Sequence, residues 1–177
     1  MSDLKKALED CGALQFGEFT LASGAKSNYY IDIKKASTKP EVLALIAKSM
    51  AAMMKEKGMK PARVAGVVLG SIPLATALSL ETGIPLLMVR KERKDHGTGR
   101  LVEGDLEAGD EVLVVEDVIT TAGSSMKAIE ALRGEGANVT RIFSVIDREG
   151  GGRENLAGIG VELNALVKGS ELLKDAQ

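Results

Sequence analysis

From Val64 onward the chain alternates two hydrophobic rhythms. Residues 64–68, 85–89, 111–115 and 139–146 are short, nearly continuous apolar runs, as expected of strands buried on both faces. Between them, residues 72–82 and 124–135 space their apolar side chains at helical intervals. Residues 161–167 add an edge strand, and the last residues a short helix. This order predicts an α/β fold, a mostly parallel central sheet flanked by helices.

Upstream of Val64 the pattern is less regular. Ser2 caps a short helix bearing Leu4, Ala7, Leu8 and Cys11, which Gly12 ends. Residues 28–33 read as a strand after a polar turn at 23–27. Pro40 opens a helix to about Lys57, with Val42, Leu45, Ile46, Met50, Met53 and Met54 on one face, a core or subunit-interface stripe. With no repeat, linker or low-complexity stretch, residues 1–177 are expected to form one domain, residues 1–35 making a small N-terminal hood.

Composition narrows the chemistry. The 177 residues include one cysteine, Cys11, and one histidine, His96, which excludes disulfide frameworks and zinc sites built from several Cys or His ligands. A balance of 23 Lys+Arg against 25 Asp+Glu argues against a generic nucleic-acid surface. No apolar run approaches the ~18 residues of a spanning helix, and the first residues lack a signal-peptide pattern, so a cytoplasmic protein without membrane contact is expected.

Open parallel sheets carry their functional loops beyond the carboxyl ends of the strands. Four segments qualify: 69–71, 91–109, 116–124 and 147–153. The third is the most informative. Val112, Leu113, Val114 and Val115 run directly into Glu116 and Asp117, which are expected at the exit of the sheet because neighbouring strand residues face opposite sides. Val118, Ile119, Thr120, Thr121, Ala122, Gly123 and Ser124 then lead into a helix, offering N–H groups, hydroxyls and a positive helix end to an anion. Two carboxylates beside a phosphate cradle suit a ligand that also carries ribose hydroxyls, a metal or a developing cation. Capped helices and solvated strand ends share this local pattern, so it does not decide alone. Neither a P-loop nor a Gly-x-Gly-x-x-Gly fingerprint is present.

Residues 112–124 resemble the 5-phosphoribosyl 1-pyrophosphate (PRPP) motif of type I phosphoribosyltransferases. Phe19-Thr20-Leu21-Ala22-Ser23-Gly24, Arg90-Lys91-Glu92-Arg93-Lys94-Asp95-His96-Gly97 and Ile146-Asp147-Arg148 add a more specific resemblance to orotate phosphoribosyltransferases. The resemblance implies transfer of the phosphoribosyl group from PRPP to orotate, with Mg²⁺ held mainly through PRPP. It also implies a homodimer whose lid residues reach the partner's site.

Residues 90–100 hold five cations against Glu92 and Asp95, a basic lid within a chain of net charge −2. By the resemblance, Arg90, Lys91, Lys94 and His96 contact PRPP, with Lys94 and His96 closest to the chemistry. Glu116 and Asp117 hold the ribose and favour positive charge at its C1. Residues 118–124 belong to the PRPP site, residues 121–125 take the 5′-phosphate, and Arg148 with Thr120 takes the orotate. Two positions depart from patterns seen in the family: Ala22 stands where many relatives carry lysine, and Gly70 where some do. Lys26 is a candidate replacement for the first, and the N–H groups near Gly70 and Ser71 for the second. The PRPP motif alone leaves a purine-specific transferase or a non-catalytic PRPP sensor open; Arg148 and the intact lid favour orotate transfer.

Overall fold

The computed structural model describes residues 2–20, 26–90 and 101–174. Six strands form the central sheet in the order β5-β4-β3-β6-β7-β8. They are β3 (Arg63–Val67), β4 (Leu86–Val89), β5 (Val102–Glu103), β6 (Glu111–Ile119), β7 (Asn138–Asp147) and β8 (Glu162–Lys168). All neighbours pair in parallel except β4 and the short β5. A separate antiparallel hairpin, β1 (Leu14–Thr20) and β2 (Lys26–Ile31), follows α1 (Ser2–Asp10).

Strand alternation sends the apolar runs to both faces of the sheet. On one face Leu113, Val115, Phe143 and Val145 pack with α3 (Pro40–Glu56), α4 (Ile72–Thr82) and the N-terminal elements; Met50 and Met54 belong to this core. On the other, Val112, Val114 and Ile142 pack with Ala128, Ile129 and Leu132 of α5 (Gly123–Gly134) and Leu156 of α6 (Gly152–Gly158). Two covered faces are what continuous apolar strands require.

The structure adjusts several expectations. Strand β2 begins at Lys26, so Lys26 and Ser27 are strand residues rather than turn; the rest of that turn lies outside the described residues. Ile33 opens a short helix, α2 (Ile33–Ser37), instead of ending the strand, because Asp32 caps it by accepting from the Lys35 N–H at 3.3 Å. Strand β6 continues four residues past Val115 to Ile119, so Glu116 and Asp117 lie within the strand and not beyond its end. The reason is one-sided pairing: contact with β3 stops at Gly66↔Val115, while β7 continues through Glu116↔Ser144, Val118↔Ile146 and Ile119↔Asp147. Asp147, placed in a loop by the sequence pattern, ends β7 and is 1% exposed, paired with Arg153 at 3.0 Å.

Candidate active site

The side on which successive strands are added to the sheet reverses between the parallel neighbours β3 and β6. From β3 the next strand lies on one side, whereas β6, β7 and β8 extend the other way. Such a switch point opens a crevice at the carboxyl ends of its two strands. Here the crevice lies between residues 69–71 after β3 and the end of β6. Asp117 reaches across it: a Cβ at residue 70 would run into the Asp117 carboxylate, so only glycine accommodates that carboxylate where it stands.

Alternation splits the acidic pair between the faces. Glu116 turns toward α5 and is 6% exposed, its Oε2 accepting from the Ser125 hydroxyl at 3.1 Å and its Oε1 from the Asp117 N–H at 3.3 Å. Burial foremost, then the neighbouring Asp117 charge, pushes the Glu116 carboxyl up to about 7, while the Ser125 hydrogen bond opposes the rise. Asp117 turns the other way, with Oδ1 accepting from the Val118 N–H at 2.8 Å and Oδ2 lying 4.0 Å from the Lys34 ammonium. Ser144, opposite Glu116 in the register, carries a buried hydroxyl with no partner among the described residues.

Beyond β6, Thr120, Thr121, Gly123 and Ser124 are exposed around the N-terminus of α5, while Ala122 and Ile119 are buried beneath them. Ala122 adopts a left-handed conformation (φ 66°) and no side chain caps the helix. The first N–H groups of this twelve-residue helix are therefore without a side-chain cap at the carboxyl end of β6, an arrangement suited to an anion. Two contacts fix the loop from behind: the Gly152 N–H donates to the Thr120 carbonyl at 2.8 Å, and the Asn155 amide to the Thr121 carbonyl at 3.0 Å. Sequence reasoning missed Asn155 and Lys34; the glycine run 150–152 was the visible hint of a tight approach at the former.

Arg148 follows β7, its N–H donating to the Ile119 carbonyl at 2.8 Å, which ties it to the end of β6. Its guanidinium lies over the Tyr29 ring of β2, 5.2 Å from the centroid, and makes no ion pair among the described residues. The next residue, Glu149, accepts from the Ser170 N–H at 2.6 Å, which holds its carboxyl below the usual range and fastens α7 (Gly169–Lys174) to this loop.

Other expected site residues are placed differently. Arg90 is engaged by Glu103 of β5 at 2.9 Å. The Lys26 ammonium donates to the Thr20 hydroxyl at 3.0 Å. The Ser71 hydroxyl is fully buried and closes on β3, accepting from the Val67 N–H and donating to the Val67 carbonyl, so it is not directed at a ligand. Lys91, Lys94, His96 and Ala22 lie outside the described residues.

The phosphoribosyl transferase domain family matches residues 34–161. The orotate phosphoribosyltransferase of Pyrococcus abyssi is 50% identical over 98% of this chain and 96% of its own. The crystal structure of orotate phosphoribosyltransferase from Aeropyrum pernix superposes with a TM-score of 0.83 at 32% identity, covering 97% of this chain and 98% of that one. A Mycobacterium tuberculosis orotate phosphoribosyltransferase, solved in complex with PRPP, aligns with a TM-score of 0.78 at 30% identity, covering 96% and 98% of the two chains.

Proposed function

The chain belongs to the phosphoribosyltransferase family, and we propose that it transfers the 5-phosphoribosyl group from PRPP to orotate, giving orotidine 5′-monophosphate and pyrophosphate in pyrimidine biosynthesis. One observation carries the site reading: a carboxylate, a helix N-terminus without a side-chain cap and an arginine that makes no ion pair among the described residues are all attached to the carboxyl end of a single strand, at the switch-point crevice.

In this reaction the bond from C1 of ribose to the pyrophosphate oxygen breaks as the bond from orotate nitrogen to C1 forms. Positive charge grows on the sugar and negative charge on the leaving group, and each needs a preorganised counter-charge. Asp117, on the rim of the crevice, takes the ribose hydroxyls and favours the cation at C1. Glu116, buried under the same strand, supports that position through its hydrogen bonds to Ser125 and the Asp117 N–H. Thr120, Thr121, Gly123 and Ser124 hold the 5′-phosphate, with Val118, Ile119 and Ala122 shaping the loop. Arg148 forks onto the orotate carboxylate, assisted by the Thr120 hydroxyl. Arg90, Lys91, Lys94 and His96 meet the pyrophosphate and exclude water from the sugar cation.

Among the described residues no three acidic, His or Cys side chains form a metal cage. Mg²⁺ is commonly held by one or two carboxylates together with substrate oxygens. Asp117 is the residue that would share it, and the ion when bound neutralises phosphate charge.

The same reading makes the protein a single-domain, cytoplasmic homodimer with residues 1–35 as hood, lid residues shared between subunits, and neither nucleic acid nor membrane as partner. No helix among the described residues is long and apolar enough to cross a membrane. The experiment that tests the acceptor assignment is Arg148→Ala. It is expected to abolish the preference for orotate over uracil, and unchanged selectivity would remove Arg148 from the site.

A further inference from the structure

Helix α2 is anchored by Ile33 and Ala36, which are 1% and 0% exposed, and begins at the Asp32 cap. With those two residues turned into the core, Lys34 projects toward the carboxyl end of β6. Its ammonium stands 4.0 Å from Oδ2 of Asp117, and the same carboxylate lies where a side chain at residue 70 would begin. Lys34 therefore delivers its charge to the mouth of the crevice beside Gly70. Among the described residues, no other cation pairs with Asp117, and none pairs with Glu116.

The pair is long, and the Lys34 side chain is 65% exposed against 17% for Asp117. An ion pair of this kind contributes little to folding, so stability does not explain it. A loosely held ammonium is instead free to change partner at small cost. When sugar hydroxyls engage Asp117, the charge beside Gly70 is left facing whatever anion enters the gap between residues 69–71 and the end of β6. The N–H groups of Gly70 and Ser71 take no partner among the described residues and border the same gap.

We propose that Lys34 is a pyrophosphate-binding residue of this site, pairing with Asp117 in the free protein and with the pyrophosphate of the bound substrate. The inference rests on the phosphoribosyl-transfer reading given above. It assigns to a residue outside the recognised motifs the charge that the glycine at position 70 does not supply.

The test compares wild type, Lys34→Ala and Lys34→Arg by calorimetric titration with inorganic pyrophosphate and Mg²⁺, and by separate KM values for PRPP and orotate. Lys34→Ala is expected to weaken pyrophosphate binding and raise the KM for PRPP by about tenfold or more, the scale of one lost charged hydrogen bond. The KM for orotate and the Tm stay near wild type, and Lys34→Arg restores most of the affinity. Wild-type pyrophosphate affinity in Lys34→Ala would overturn the assignment, as would equal changes in both KM values or a parallel loss of Tm in both variants. If the wild type binds pyrophosphate in a Lys34-dependent way but does not turn over orotate, the acceptor reading fails while the Lys34 assignment stands.

Discussion

The Arg148 guanidinium lies over the Tyr29 ring at 5.2 Å, joining the loop after β7 to the N-terminal hairpin. A cation over an aromatic face is stabilised by the ring's quadrupole, by about 0.5–2 kcal/mol depending on desolvation. Tyr29 is 6% exposed, so the ring is itself fixed by packing and acts as a platform. Tyr29→Phe keeps the platform and is expected to leave orotate binding near wild type. Tyr29→Leu removes it and is expected to raise the KM for orotate roughly threefold to tenfold, with the KM for PRPP unchanged. Steady-state kinetics with each substrate varied separately checks this.

Gly70→Ala probes the crossing of the crevice. Its Cβ would meet the Asp117 carboxylate, which is the free end of a side chain and turns aside. The expected result is a normal fold, with Tm close to wild type, and a loss of roughly 10- to 100-fold in kcat/KM for PRPP, because small displacements of reacting groups are costly. Thermal denaturation alongside PRPP kinetics separates the two effects.

How much of this was legible in the sequence differs by element. The apolar runs and the helices at 40–57, 72–82 and 124–135 were readable because burial on both faces, helical spacing and the proline that opens the first of them leave local signals. Strand β1 was not, because Gln15 to Gly17 and Glu18 are exposed and give no alternation. Strand β5 has only two residues, and α2 and α6 are too short to show a period. The acidic pair was visible as chemistry, but its division between two faces depends on how far β7 outruns β3 beside β6, a property of register. Lys34 and Asn155 act across 83 and 34 positions of sequence respectively, and no local pattern encodes such pairs.

Glu116 sets a pH dependence of stability. Its folded-state carboxyl is raised from 4.5 to about 7, so between those values the native state binds more protons than the unfolded chain. Stability from this group is therefore present at low pH and declines as pH rises toward about 7. Glu116→Gln cannot ionise and is expected to be more stable than wild type at pH 8, by on the order of 1–3 kcal/mol, with no advantage at pH 4. Urea denaturation at the two pH values measures it. Ser125→Ala, which removes the hydrogen bond opposing the rise, shifts the titration further upward.

The phosphate loop depends on its backing. A Cβ at Gly152 would come within 2.7 Å of the Thr120 carbonyl oxygen, which is backbone and cannot step aside cheaply. Gly152→Ala is expected to cost roughly 2–4 kcal/mol, as overpacking against backbone does. Asn155→Ala removes one hydrogen bond to Thr121 and is expected to cost about 1 kcal/mol. It should also weaken binding of a 5′-phosphorylated ribose more than binding of orotate. Denaturation midpoints and titration with ribose 5-phosphate distinguish the two variants.

The most direct measurement is turnover itself: purified protein with PRPP, Mg²⁺ and a panel of free bases, following base consumption and pyrophosphate release together. Orotate is expected to be consumed with stoichiometric pyrophosphate, and only when PRPP is present. Turnover of a purine base without turnover of orotate under the same conditions would contradict orotate transfer.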